Sequence, residues 1–317
     1  MKTILVTGVA GFIGSSIAER LLKDGYKVIG IDNLSTGTTQ NLPVNKRFKF
    51  YKLDLTNYEA LTTLLIDNPV DVVMHLAGNA SIVNAMSNPV SDVKNNIIAT
   101  MNMVNASIEH RIPRFLHAST MVVYGADNVN KKETDCCVPT STYGVTKYAG
   151  ERFVMNASSR TDLLSDFNAT AFRMFNVYGP KQDLRNPYQG VVAIFIGNIK
   201  YKESISIHGS GEQTRDFIYI DDVVDVWVKS IEEKKTHGQV FNLGSGKDHS
   251  INFIVDKVVS EMDSKSVFPT TIYRHDGRQG DISRCVSDSS KLRKALKWKP
   301  KVEFNEGLLR FINSVRG

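Results

Sequence analysis

Within the first fourteen residues an apolar run, Ile4-Leu5-Val6, passes directly into Thr7-Gly8-Val9-Ala10-Gly11-Phe12-Ile13-Gly14, and a helix-like stretch from Ser15 to Lys23 follows. A strand, a glycine turn and a helix start in this order are the parts of one βα unit. Glycine lets the backbone turn tightly and approach a pyrophosphate, while unpaired N–H groups and the positive end of the following helix face the anion. The opening residues therefore commit the chain to a parallel α/β sheet that holds a dinucleotide. Gly8, Gly11, Phe12, Ile13 and Gly14 are the expected contacts, in a GxxGxxG rather than a GxGxxG spacing.

A second apolar strand, Lys27-Val28-Ile29-Gly30-Ile31, ends in Asp32, about 20 residues beyond the glycines. A carboxylate there accepts from both ribose hydroxyls and repels a 2′-phosphate. The residues that follow, Asn33-Leu34-Ser35-Thr36-Gly37, bring no Arg or Lys to counter that repulsion. NAD is therefore expected rather than NADP, with Asn33, Ser35, Thr36 and Gly37 along the same rim.

Short β-branched runs then alternate with helical patterns: Phe48 to Leu53, Val70 to Leu76, Phe115 to Ser119, Ala169 to Phe175 and Gln239 to Leu243 are the expected strands. With the first two they predict a Rossmann-like, doubly wound parallel sheet of about seven strands. Tyr58 to Ile66 and Asn95 to Glu109 carry the helical period that covers such a sheet. After Pro180 the sequence is richer in Gly, Pro and polar turns. We expect residues 1–178 to form the dinucleotide-binding domain, its sheet completed by a return near 216–246, and residues 179–317 to form mainly a smaller substrate-binding lobe.

At 317 residues and 42% hydrophobic content the chain is long enough for one large core. Its net charge of +6 arises from Lys and Arg scattered among 33 acidic residues, which reads as a solvated surface and not as a nucleic-acid interface. Cys136, Cys137 and Cys285 have no metal-ligand spacing, so no metal is expected and a reducing cytoplasm suits them. The N-terminal apolar run breaks at Thr7-Gly8, and no stretch reaches 18 apolar residues, so neither a targeting segment nor a membrane span is expected.

Tyr143-Gly144-Val145-Thr146-Lys147 sets a phenol and an ammonium four residues apart, on one face if the stretch is helical. The pKa of a free tyrosine, about 10, must fall by about 3, or roughly 4 kcal/mol, for the phenol to serve as a base at neutral pH. Lys147 and a positive nicotinamide ring in a poorly hydrated cleft are the expected source. With 11 tyrosines the spacing also arises by chance, and its position is what gives it weight. It follows the strand ending Ala118-Ser119-Thr120-Met121-Val122-Val123-Tyr124-Gly125, and ligands in such sheets sit at the carboxyl ends of strands.

These motifs, with His75-Leu76-Ala77-Gly78, Asn96, Phe175-Asn176-Val177-Tyr178-Gly179-Pro180, Arg215-Asp216-Phe217, Asn242-Leu243-Gly244 and Arg278-Gln279-Gly280-Asp281, run along nearly the whole chain. Together they resemble the extended short-chain dehydrogenase/reductases and, within them, the nucleoside-diphosphate-sugar 4-epimerases. By that resemblance Thr120 fills the catalytic Ser/Thr position, Tyr143 is the acid/base and Lys147 holds the nicotinamide ribose. Asp54 and Leu55 are implied at the adenine, and Leu76, Ala77, Gly78 and Asn96 along the cofactor. Ala80, Ser81, Asn176, Val192, His208, Arg215, Arg278, Asp281 and Cys285 are implied at a UDP-sugar, with the two arginines clamping its diphosphate.

Related dehydratases and decarboxylases carry acidic residues just after the catalytic Thr, where this chain has Met121 and Val122. The implied activity is therefore 4-epimerisation, through a 4-keto sugar formed by hydride transfer to NAD that never leaves. Cys285 falls where the family has a gatekeeper beside the sugar's 2-position, a Tyr in enzymes restricted to hexoses without an N-acetyl group. The smaller Cys implies room for UDP-GlcNAc and UDP-GalNAc and leaves UDP-glucose and UDP-galactose possible substrates. A UDP-glucuronate 4-epimerase and a non-catalytic NAD-binding scaffold are the alternatives. The helices holding Asn96 to Glu109 and Tyr143 to Met155 resemble those that pair relatives into homodimers.

Overall fold

Each apolar run identified in the sequence forms a strand because its β-branched and aromatic residues fit a pleated surface, covered on both faces in the inner strands and only partly at the edge strand Phe48–Lys52. The structure is a computed structural model and describes residues 1–125, 130–164, 166–186, 189–263, 270–277 and 283–316. The chain opens with β1 (Thr3–Thr7), α1 (Phe12–Lys23), β2 (Lys27–Asp32), β3 (Phe48–Lys52), α2 (Tyr58–Asp67) and β4 (Val72–His75). A long helical passage follows: α3 (Ile82–Ser87), α4 (Pro89–Asp92), a wider π-helical turn over Val93–Ile98, and α5 (Ala99–Glu109). Then come β5 (Arg114–Thr120), the two-residue β6 (Asn130–Lys131), α6 (Thr142–Ser158), β7 (Asn168–Met174) and β8 (Asn176–Tyr178).

The remainder comprises α7 (Val191–Lys200), β9 (Ile205–His208), β10 (Thr214–Tyr219), α8 (Ile220–Lys229), β11 (Gln239–Leu243), β12 (Asp248–Ser250), α9 (Ile251–Met262), β13 (Ile272–His275), β14 (Arg284–Ser287), α10 (Ser290–Leu296) and α11 (Phe304–Val315). Seven strands form one sheet in the order β11-β7-β5-β4-β1-β2-β3, with every pairing parallel. The order reverses between β1 and β4, and such a switch point opens a crevice at the carboxyl ends of the strands.

One face of the sheet is covered by a core that includes Ile17 and Leu21 of α1, Val223 and Trp227 of α8 and Phe311 of α11. The other face packs Leu61 and Leu65 of α2, Met103 of α5 and Val154 of α6. Only β11 returns to this sheet. β10 instead joins a second, mixed sheet, β12-β10-β14-β6, with β8 paired to β10. That sheet stands over the carboxyl ends of β5 and β7, which sets Asn176, Arg215 and Cys285 near the crevice. No helix among the described residues is long and apolar enough to cross a membrane.

Candidate active site

The first half of the site is a cleft of about 720 Å³ along the carboxyl ends of β1, β2 and β4, lined by Gly11, Phe12, Asp32, Asp54, Leu76 and Lys147 among others. Gly8 takes a left-handed φ of +68°, and a Cβ there would stand 2.9 Å from the Ala77 backbone nitrogen. A Cβ on Gly14 would meet the Gly8 carbonyl oxygen at 2.2 Å, so the third glycine is required for α1 to pack under the turn. Gly11 caps α1 with no side-chain hydrogen bond, leaving the first N–H groups of the helix for an anion.

Asp32 is nearly buried at the end of β2. Its carboxylate accepts from the Ala10 N–H at 3.0 Å and the Leu34 N–H at 2.8 Å. A carboxylate held this way keeps lone pairs for two ribose hydroxyls. Asn33 donates to Asp54 at 3.2 Å, and hydrogen bonds from Thr56 hold the Asp54 carboxyl below its usual range. The glycine cradle, the free helix start and the fixed carboxylate together fit NAD. Ser35, Thr36, Gly37, Leu55, Ala77 and Gly78 also line this cleft.

A second cleft, of about 560 Å³, adjoins the first, and Tyr143, Ser119 and Met174 line both. Thr120 closes β5, and its hydroxyl accepts from the Val122 N–H at 3.3 Å and lies near enough to the Tyr143 phenol to draw its pKa down. Ser141 caps α6 by accepting from the Gly144 N–H at 3.1 Å. The helix thereby begins one residue before Tyr143 and carries Lys147 one turn further along the same face. Lys147 is only 6% exposed. Behind it, Glu151 receives Arg173 through two hydrogen bonds of 2.7 and 3.0 Å and the Ser119 hydroxyl at 2.6 Å.

Burial governs the electrostatics of both groups. Burial pushes Tyr143 up to about 12, with the neighbouring Thr120 hydroxyl working against it and Asp92 adding to it. Burial also pulls Lys147 down to about 8, against the attraction of Glu151 and Asp92. The side chains alone thus favour the neutral phenol, and a further positive charge at the nicotinamide position is what would favour the phenolate.

A family model for the NAD dependent epimerase/dehydratase family matches residues 4–244. The chain belongs to that family. The UDP-glucose 4-epimerase of Mycolicibacterium smegmatis is 34% identical over 321 residues, covering 100% of this chain and 99% of that one. Among solved structures, the UDP-N-acetylglucosamine 4-epimerase of Methanobrevibacter ruminantium, in complex with UDP-N-acetylmuramic acid, superposes with a TM-score of 0.89 at 32% identity, covering 99% and 97% of the two chains. The UDP-glucuronic acid 4-epimerase of Bacillus cereus, in complex with UDP-glucuronic acid and NAD, gives 0.88 at 33% identity over 99% of both chains.

Family membership leaves each residue to be placed individually. Ala80, Ser81, Thr120, Asn176 and Val192 line the second cleft. Asn176 spends its amide hydrogen on the Asp216 carbonyl at 3.0 Å, and the Arg215 guanidinium donates to the Thr214 carbonyl at 2.8 Å. Cys285 is buried against Met121 and Phe175, the latter a lining residue, and burial raises its thiol to about 11. Arg278 and Asp281 lie outside the described residues.

One expectation is corrected. Asn96 does not line the cofactor cleft, because its amide is drawn into the protein toward Asp92 at 3.3 Å and Thr146 at 3.1 Å. Its Oδ1 is buried without a partner, close behind Gly78, and the neighbouring Asn95 lines the cleft instead. His208 lies on the separate two-stranded sheet of β9 and β13, stacked on His275 at 5.2 Å. Asn79, Asp92, Ser119, Glu151 and Gln182 were missed. Only Ser119 carried a signal, as the hydroxyl beside Thr120.

Proposed function

We propose that this chain interconverts UDP-hexoses at the 4-position, acting on UDP-GlcNAc and UDP-GalNAc and also on UDP-glucose and UDP-galactose. The observation that carries the reading is Tyr143, standing beside Thr120 where the dinucleotide cleft meets the second cleft. NAD, when bound, supplies the acceptor and donor of a hydride. The side chains of this protein do the rest. Tyr143 takes the proton of the 4-hydroxyl and later returns it, Thr120 orients that hydroxyl, and the Lys147 ammonium favours the phenolate while the proton is held.

Met121 and Val122, which follow Thr120, carry no transferable proton. Elimination from the sugar therefore lacks an acid/base group there, and epimerisation is favoured over dehydration. The residues described in the second cleft are mainly Asn, Ser, Gln and apolar side chains, with no Arg, Lys or His among them. Of the two features expected for a uronate carboxylate, a cation is absent from the described lining, while hydroxyls such as Ser81, Ser119 and Thr120 are present, and turnover decides between the sugars. Chromatography of reactions with UDP-GlcNAc, UDP-glucose and UDP-glucuronate tests this reading. Faster turnover of UDP-glucuronate than of the other two would contradict it, and no turnover of any would favour the scaffold.

Room for the acetamido group is supported by the small side chains of Ala80, Ser81 and Cys285. A Tyr at position 285 does not fit among Met121 and Phe175 without pushing toward the second cleft, and overpacking of this kind costs about 1–3 kcal/mol. Cys285→Tyr is expected to lower turnover of UDP-GlcNAc relative to UDP-glucose by roughly tenfold or more. An unchanged ratio of the two rates would remove Cys285 from the sugar's surroundings. The same reading includes a homodimer, supported by the exposed Ile98, Val145 and Phe153 on the two helices expected to pair. Sedimentation as a monomer at micromolar concentration would refute it.

A further inference from the structure

Asp92 ends α4 with its side chain fully buried. Its Oδ1 accepts from the Asn79 amide at 2.8 Å. Its Oδ2 accepts from the Asn96 amide and the Thr146 hydroxyl, each at 3.3 Å. These donors come from three different places: the loop after β4, the π-helical turn, and α6. Among the described residues no cation lies within ion-pair distance of Asp92, whereas Glu151, the other buried carboxylate near Lys147, is paired with Arg173. A buried carboxylate with only neutral donors is costly unless a charge nearby balances it.

Asn79 lines both clefts and is further tied to Asn95 and Ser91. Thr146 stands one residue before Lys147 and also contacts the Tyr143 carbonyl at 3.1 Å. We propose that Asp92 is a positioning residue of this site: its carboxylate ties the loop dividing the two clefts to the helix that carries Tyr143 and Lys147, and its charge balances the buried ammonium. This rests on the reaction assigned above.

The groups that face Lys147 and Tyr143 can be named element by element. Glu151 lies on α6 itself, with Arg173 of β7 neutralising it. Thr120 of β5 meets the phenol. His75 of β4 and His117 of β5 are stacked with ring centroids 5.6 Å apart. Both are kept neutral by burial first and then by the nearby Lys147. Asp92 is thus the anion near Lys147 that has no cation of its own, and it acts on both groups in one direction, raising Lys147 and Tyr143 alike.

Activity rises with pH as Tyr143 loses its proton and falls as Lys147 loses its charge. Removing the Asp92 charge lowers both pKa values, so both limbs of the kcat profile should move to lower pH.

The test uses Asp92→Asn, purified with its bound NAD and compared with the unaltered protein. Expected are a roughly tenfold loss of kcat, an unchanged KM for the UDP-sugar, and a shift of both limbs by roughly one pH unit toward acid. The phenolate absorbance lost on adding Tyr143→Phe, titrated with and without Asp92→Asn, should shift the same way and needs no turnover. A lower kcat with both limbs and the phenolate titration in place would overturn the charge role, and an unchanged kcat would overturn the proposal entirely. If the unaltered protein turns over no UDP-hexose, the assigned reaction fails, and the phenolate titration still decides the part played by Asp92. Should Asp92→Asn not fold, Asn79→Ala severs the loop while keeping the charge. It should lower kcat and leave both limbs in place, and kcat and KM equal to those of the unaltered protein would overturn the tie.

Discussion

Replacing Tyr143 with Phe should abolish epimerisation while leaving NAD bound, because the substitution removes one oxygen atom from a side chain that is almost wholly buried. Positioned acid–base groups contribute about 10² to 10⁴-fold, so a loss of kcat of about 10³-fold, or roughly 4 kcal/mol, is expected. Affinity for the dinucleotide should change little, since the glycine turn, Asp32 and the start of α1 remain intact. Stopped assays on protein whose nucleotide content has been measured separate the two effects. Tyr143→Phe retaining more than about a tenth of the activity would mean that another group, Thr120 foremost, moves the proton.

The second large effect concerns stability. Arg173 and Glu151 form a bidentate pair in which both side chains are almost inaccessible, at 6% and 1% exposure, and the Arg173 guanidinium also stacks over the Tyr124 ring at 4.8 Å. Arg173→Met leaves the Glu151 carboxylate buried with the Ser119 hydroxyl as its remaining side-chain partner. Breaking a buried pair from one side costs about 3–5 kcal/mol, which for a chain of this size lowers the melting temperature on the order of 10 °C. Replacing both partners, as Arg173→Met with Glu151→Leu, should recover most of that stability, because an apolar pair of similar volume needs no compensation. The double variant should still be a poor enzyme, since Ser119 loses its acceptor and Lys147 one of its anions. Thermal unfolding of the three proteins decides the matter, and a single variant as stable as the original would show that the pair contributes little.

The seven-stranded sheet was legible because its strands are continuous β-branched runs and its first two turns carry a glycine triplet and Asp32, features fixed by local geometry. Tyr143 and Lys147 were legible for a related reason: one helical turn separates them, so sequence spacing is spatial spacing. Asp92 was not, since in Pro89-Val90-Ser91-Asp92 it reads as an ordinary polar residue of a short helix, and its burial arises from α6, fifty residues onward. The Glu151–Arg173 pair was equally hidden, because it joins a helix to a strand and neither residue's neighbours announce it. The spacing displays Lys147 as the neighbour of Tyr143 but not how deeply both are buried, which raises the phenol and lowers the ammonium. The setting of His208 was not legible, because β9 pairs with β13 in a sheet of its own, a long-range choice that a four-residue strand does not encode.

Proton NMR of the anomeric signals, recorded on purified protein incubated separately with UDP-GlcNAc and UDP-glucose and without added NAD, tests the central claim most directly. Conversion of both gluco sugars to the galacto forms, with no accumulation of a keto sugar, is the predicted result. Absence of conversion for both, in protein shown to carry NAD, would contradict it.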